Sequence, residues 1–159
     1  MSDQVFIYTM NQGGTIGKWS RYVFPFIIQW FAHFKDDLYL RAGDVVYKVD
    51  EKAQDDDGVV FNSVIQWPWL DFRKPGVDKM LTGFDVVCDG AFSIEVGYNQ
   101  ADKNAFTDPF DVPGDTLTGQ IIPLPVTAPT MSIRLTYQSD QSWIWEAMQL
   151  YVQDMEVAK

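Results

Sequence analysis

Cysteine and histidine are nearly missing from this sequence. Cys88 is the one cysteine and His33 the one histidine among 159 residues. A single thiol excludes an intramolecular disulfide framework and every multi-cysteine zinc site. Glutamate is also scarce: 4 of the 22 acidic residues are Glu and 18 are Asp. Helix formers are thin as well, with 17 Leu plus Ala against 26 Val plus Ile. That balance is one of strands and turns and not of helices, and it excludes a coiled coil. Positive charge is short too, since 12 basic residues leave a formal net charge of -10. Phosphate-gripping faces need clustered Lys and Arg, so specific nucleic-acid binding is not expected. Long hydrophobic runs are lacking. The longest, Tyr22 to Phe34, is broken by Pro25, Gln29 and His33 and is too short to span a bilayer, so no membrane insertion is expected. The amino terminus, Met1-Ser2-Asp3-Gln4, carries no basic segment before an apolar one, which argues against a secretory signal and for synthesis in a cytoplasm.

What is present points to strands and turns. Aromatic residues number 24, and they join Val and Ile as strand formers, while Asp marks turns. Val5–Met10, Lys18–Phe24, Phe26–Phe34, Leu38–Leu40 and Val45–Val49 read as a meander of short strands. Asn11-Gln12-Gly13-Gly14, Lys35-Asp36-Asp37 and Ala42-Gly43-Asp44 supply its turns. The polar segment from Asp50 to Gly58 is the best internal boundary, giving domains 1–50 and 51–159.

Beyond it, Val59–Phe72 is long for one strand, and Pro68 is expected to bend it, end it or place it at an edge. Met80–Cys88 and Phe92–Tyr98 read as a hairpin around Asp89-Gly90. Residues 99–114 read as a loop, Thr116–Ile122 as a strand, and Pro123, Pro125 and Pro129 as a rigid extended connection. Ser132–Tyr137 alternates, with Ile133, Leu135 and Tyr137 on one face. Trp143–Val157 fits both a helical stripe and a strand face, and its Trp, Ile, Tyr and Val residues favour a strand. The fold class expected is all-β: an antiparallel β-sandwich or jelly roll preceded by a propeller-blade-like β-meander.

No catalytic signature emerges. Asp55-Asp56-Asp57-Gly58 offers carboxylates to calcium but lacks the spacing of a calcium loop, and a solvated hairpin turn is the simpler reading. Gly13-Gly14-Thr15-Ile16-Gly17-Lys18 lacks phosphate-loop spacing, and Trp19 stands where the hydroxyl residue belongs. His33 has no nucleophile elbow near it in sequence, and Cys88, after Val86-Val87, reads as a small buried hydrophobe. Asp71, Asp78, Asp85, Asp89, Glu95 and Glu146 are the carboxylates from which a glycosidase pair would be drawn, but Asp at strand ends is ordinary turn chemistry. The expectation is therefore no catalytic residue, no metal and no cofactor.

The tryptophans are the sharper signal. Trp67-Pro68-Trp69 and Trp143-Ile144-Trp145 place indoles at i and i+2, the same face of a strand. Trp67, Trp69, Trp143 and Trp145 are thus candidates for a subunit interface or a sugar-stacking platform, with a buried aromatic core as the plainer reading.

Trp19-Ser20-Arg21-Tyr22-Val23-Phe24-Pro25-Phe26 and the run from Asp37-Leu38-Tyr39-Leu40-Arg41-Ala42-Gly43-Asp44 to Val49-Asp50 resemble the closing meander of a phage structural protein. Asp56-Asp57-Gly58, Gln66-Trp67-Pro68-Trp69-Leu70-Asp71-Phe72 and Pro75-Gly76-Val77-Asp78-Lys79-Met80 extend the likeness. The chain is similar to the tail hub, nozzle and packaged-DNA-stabilisation proteins of short-tailed bacteriophages, over the carboxy-terminal part of a typical member. The resemblance implies a non-enzymatic virion component, homo-oligomeric, contacting portal and tail subunits around the tail channel. It implies no catalytic or ligand site. An acidic surface would repel DNA phosphates and let a genome slide past. The alternative, drawn from the Trp pairs, is a carbohydrate- or receptor-binding module.

Overall fold

The computed structural model describes residues 3–9, 18–50, 52–53, 55–60, 62–116 and 119–155. Every regular element among them is a strand, and every named strand pair is antiparallel, so the protein is all-β. The chain divides into two compact units, Met1–Val59 and Val60–Lys159. The division falls just past the polar segment chosen from sequence.

In the amino-terminal unit, β1 (Asp3–Thr9) pairs with β2 (Lys18–Phe24) from Asp3↔Phe24 to Thr9↔Lys18. The turn read at Asn11-Gln12-Gly13-Gly14, and the glycine-rich run as far as Gly17, lie outside the described residues. A three-stranded meander follows: β3 (Trp30–Phe34), β4 (Asp37–Ala42) and β5 (Val45–Lys48). β3 is shorter than its sequence suggests because Pro25 to Gln29 runs outside any ladder. Aromatic rings give the unit its cohesion. Phe26 stacks on Tyr47 at 4.5 Å between centroids, and Phe24 lies 5.6 Å from Phe26.

At the junction, β6 (Asp55–Asp56) and β7 (Val59–Val60) close a two-residue hairpin. Asp57 (φ 55°) and Gly58 (φ 80°) both take the left-handed region, as a type I′ turn requires, and Asp55 Oδ1 accepts the Gly58 N–H at 2.9 Å.

The carboxy-terminal unit is a β-sandwich. One sheet has the order β11 (Phe110–Val112), β10 (Phe92–Gly97), β13 (Ser132–Gln138), β8 (Asn62–Gln66). The other has the order β12 (Ile122–Ala128), β9 (Lys79–Asp89), β14 (Ile144–Asp154). Alternate residues of β10 and β13 bury Phe92, Ile94, Val96, Ile133, Leu135 and Tyr137. From the opposite sheet, β9 sends in Leu81, Phe84, Val86 and Cys88. Each large apolar side chain so buried contributes about 1.5–3 kcal/mol.

Several local expectations change. Asp89-Gly90 is not a hairpin turn: β9 and β10 belong to different sheets, and the dipeptide is the corner between them. The long strand expected from Val59 is instead two strands in different sheets, β7 and β8, and β8 ends at Gln66, because Pro68 has no N–H to continue the ladder. The pairing resumes only as one bridge, Leu70↔Met131. No strand begins at Thr116, and residues 117–118 lie outside the described residues. The strand instead starts at Ile122 and runs through Pro123 and Pro125. Both prolines are exposed on the sheet's edge, where a missing N–H costs nothing, and the register breaks between Pro123 and Val126. Trp143–Val157 resolves as a strand over Ile144–Asp154, within the described residues. The residues 99–114 hold the short strand β11 as well as loop.

Candidate functional site

The acidic turn is spent on architecture. Asp55 holds the hairpin, and burial, then the neighbouring Asp55 charge, raises the Asp56 carboxyl above its ordinary value. No group of three His, Cys, Asp or Glu side chains suited to a metal ion occurs among the described residues. His33 is exposed on β3, opposite Leu38. Cys88 is buried, and burial, followed by the Asp115 and Asp89 charges, pushes its thiol up.

Of the candidate carboxylates, those of Asp71, Glu95 and Asp85 take separate partners, and the Asp78 contact is made by its main-chain carbonyl. Asp71 Oδ1 accepts the Arg73 N–H at 2.8 Å, and the Asp78 carbonyl accepts the Met155 N–H at 2.9 Å. Glu95 faces Arg134 at 3.5 Å, and the Arg134 guanidinium lies 3.7 Å from the centre of the Phe106 ring. Asp89 and Glu146 are exposed. Asp85 stands apart because it is 7% exposed in mid-strand. Its Oδ2 accepts the Tyr151 hydroxyl at 2.5 Å and the Gly119 N–H at 3.0 Å, and its Oδ1 has no hydrogen-bond partner among the described residues. The bond to Asp85 is the first reason the Tyr151 phenol is raised, ahead of burial and the Asp85 charge.

The chain holds two polar devices that its sequence gave no sign of. Lys79 is fully buried, and its ammonium donates to the carbonyls of Lys74 (2.5 Å), Val77 (2.7 Å) and Pro129 (2.9 Å). Three donors meet three acceptors, which is the condition for burying a lysine without a carboxylate. The second device completes β9. β12 pairs with β9 only as far as Phe84, and beyond it Thr116 and Asp115 take over. The Thr116 Oγ1 accepts the Val86 N–H at 2.9 Å, and Asp115 accepts the Cys88 N–H. Backbone groups that would otherwise be orphaned are satisfied by side chains.

The four tryptophans do not form two flat pairs. All four are half-buried. Trp67 lies 6.5 Å from Trp145, and Trp69 lies 6.5 Å from Phe106. Trp143 and Trp145 meet Phe92 edge-on at 5.6 and 4.9 Å, and Trp143 also lies 5.7 Å from Tyr137. Trp67, Trp143 and Trp145 pack against the sandwich core. Trp67 and Trp69 flank Pro68 outside any strand, so the same-face argument from strand geometry does not apply to them.

The unusual surface lies in the amino-terminal unit. Leu40 is its only buried hydrophobe among the described residues. Phe6, Ile7, Tyr8, Trp19, Tyr22, Val23, Ile27, Trp30, Phe31, Phe34, Val45, Val46, Val49 and Val59 are all exposed there. The register of the β1–β2 hairpin places Phe6, Tyr8, Trp19, Arg21 and Val23 on one face, and Val5, Ile7, Tyr22 and Phe24 on the other. Within the hairpin, Phe6 (60%) and Trp19 (69%) are the most open of the large hydrophobic residues. A two-stranded ribbon with apolar residues on both faces has no means of its own to remove them from water.

No family model, no curated protein and no solved structure matches this chain.

Proposed function

We propose that the protein is a non-enzymatic subunit of a larger assembly, a virion component of the tail-hub, nozzle or head-completion kind. It works through contacts with copies of itself and with portal or tail subunits. The observation that carries this reading is the amino-terminal unit, which exposes fourteen large hydrophobic residues and buries Leu40 alone among its described residues. A surface of that composition marks a protein–protein contact, because water-facing apolar patches of this extent are rare on free monomers. The sandwich, with its own closed core, supplies a rigid body for such contacts.

The net charge of -10 supports a place beside DNA without a grip on it. The decisive test is the composition of purified particles. Mass spectrometry of the virions produced from the genome that encodes this chain should find it at a fixed copy number per particle. Its absence from those particles would overturn the virion assignment.

A further inference from the structure

Charge is divided along the chain as sharply as hydrophobicity. Residues 4–35 contain Lys18, Arg21 and Lys35 and not one of the 22 acidic residues. Residues 60–159, the sandwich unit, hold 13 acidic against 6 basic residues, a formal net charge of -7. The apolar hairpin, Asp3 to Phe24, carries Lys18 and Arg21 against Asp3, a formal charge of +1, while the sandwich is the acidic part. Two hairpins would repel each other weakly, and so would two sandwiches. A hairpin and a sandwich attract.

The sandwich also offers a place of the right chemistry. A groove on the β9–β14 sheet is lined by Asp85, Val87, Thr116, Ala147, Met148 and Leu150. Val87 is 42% exposed and gives the groove an apolar wall. Behind it sits the Asp85 carboxylate, whose Oδ1 lacks a partner among the described residues. Asp89, Asp115 and Glu146 lie within a few residues of the lining. The groove borders β14, which ends the sheet order and presents eleven residues without a proline. The opposite edge, β12, is blocked by Pro123 and Pro125. An open, proline-free edge beside an apolar, acidic groove is a receiving surface for a strand ribbon.

We propose that the β1–β2 hairpin of one copy docks into the β9–β14 groove of the next copy, with the face bearing Phe6, Tyr8, Trp19, Arg21 and Val23 turned inward. The contact is head to tail, so each chain gives one hairpin and receives another. Repetition closes a ring when the rotation permits. This inference rests on the reading of the chain as an assembly subunit and names the two surfaces through which copies join.

The test uses the full-length chain in two forms. The first is the hairpin variant Trp19→Ser with Arg21→Glu, and the second is the groove variant Val87→Lys. All three positions are exposed, so circular dichroism and melting should match the unsubstituted chain. Masses are read by analytical ultracentrifugation at physiological salt. The unsubstituted chain should form oligomers, and each variant should associate at least ~30-fold more weakly, the effect of losing one hot-spot residue. An equimolar mixture should give a dimer of about twice 18.2 kDa and nothing larger, because it contains one intact hairpin and one intact groove. A mixture that stays monomeric overturns the head-to-tail contact. If either variant keeps the parental mass, other surfaces join the copies: this docking falls and the assembly reading stands. A parental chain that is itself monomeric overturns this docking, while the assembly reading is decided separately by the composition of purified particles. The hairpin's aromatic and basic face is also compatible with an anionic bilayer. Sedimentation of the monomer with phosphatidylserine vesicles would make a membrane the occupant and overturn the proposal.

Discussion

Replacing Lys79 with methionine isolates the ammonium from its stem. Methionine keeps most of the apolar chain that fills the site and removes the three donors. The carbonyls of Lys74, Val77 and Pro129, now at 2.5, 2.7 and 2.9 Å from Nζ, would lose their partner together. A hydrogen bond from a charged donor contributes ~1.5–3 kcal/mol, so three of them amount to roughly 5–9 kcal/mol. Two effects reduce this. Lys74, Val77 and Pro129 are exposed residues, so water can reach part of what is released. The variant also no longer has to strip water from an ammonium, a penalty of several kcal/mol. A net loss of about 3 kcal/mol is the expected result. Urea denaturation of both chains, followed by tryptophan fluorescence, measures it as a fall in midpoint at unchanged slope. The local consequence is equally specific. The 74–77 turn and the 129 turn are both tied to this one amine, and amide exchange should rise in both. A variant as stable as the parent, or more stable, would refute the reasoning. It would mean that the buried charge is a net burden, as in ion pairs that hydrophobic residues can replace.

Tyr151→Phe removes the hydroxyl that donates to Asp85 and should lower the denaturation midpoint at neutral pH. The Tyr151 pKa is raised in the folded chain, so its contribution is fully present below the ordinary phenol value of about 10 and is lost as pH climbs through the folded one. The variant should lack that part of the alkaline loss when midpoints are compared from pH 8 to 12. Cys88 should resist iodoacetamide at neutral pH and react on addition of denaturant, and rapid labelling of the folded chain would contradict its burial. Gly83→Ala should cost about 1–3 kcal/mol or more in thermal or urea unfolding, because the new Cβ would stand 2.3 Å from the Ile122 carbonyl oxygen, a backbone atom that cannot swing aside. Trp143→Ala should destabilise the sandwich by ~2–3 kcal/mol, since the indole packs on Phe92 and Tyr137. Glycan-array binding that disappears in this variant at unchanged stability would favour the carbohydrate-binding alternative.

Much of the fold could be read from periodicity. Ile133, Leu135 and Tyr137 alternate in the sequence and sit together in the core. The limits are seen where one local signal has two outcomes. Asp57-Gly58 and Asp89-Gly90 are the same dipeptide between strand-forming runs, yet the first closes a hairpin and the second turns a corner between sheets. A dipeptide fixes the backbone of the turn, but which sheet each flanking strand joins depends on partners far along the chain. Pro123 and Pro125 read as breakers because proline cannot serve a central strand, and edge position, which permits them, is not a local property.

The site was less legible than the fold. The tryptophan spacing drew attention to the sandwich, where Trp67, Trp143 and Trp145 support the core. The exposed aromatics of the amino-terminal unit drew none, because strand periodicity says which residues share a face and not whether anything covers it. Lys79 and Asp85 were hidden for a related reason. A charged residue in a strand is ordinarily solvated, and only the arrangement of distant carbonyls, or of Tyr151 and Gly119, makes its burial tolerable.

The central claim is that the amino-terminal unit is a contact surface between subunits. Sedimentation velocity of the intact chain across roughly 1–100 μM, a range that brackets ordinary subunit affinities, tests it most directly. The account predicts that mass rises above the 18.2 kDa of one chain, and that Trp19→Ser with Arg21→Glu returns it to that value. A single species of 18.2 kDa at every concentration would contradict it.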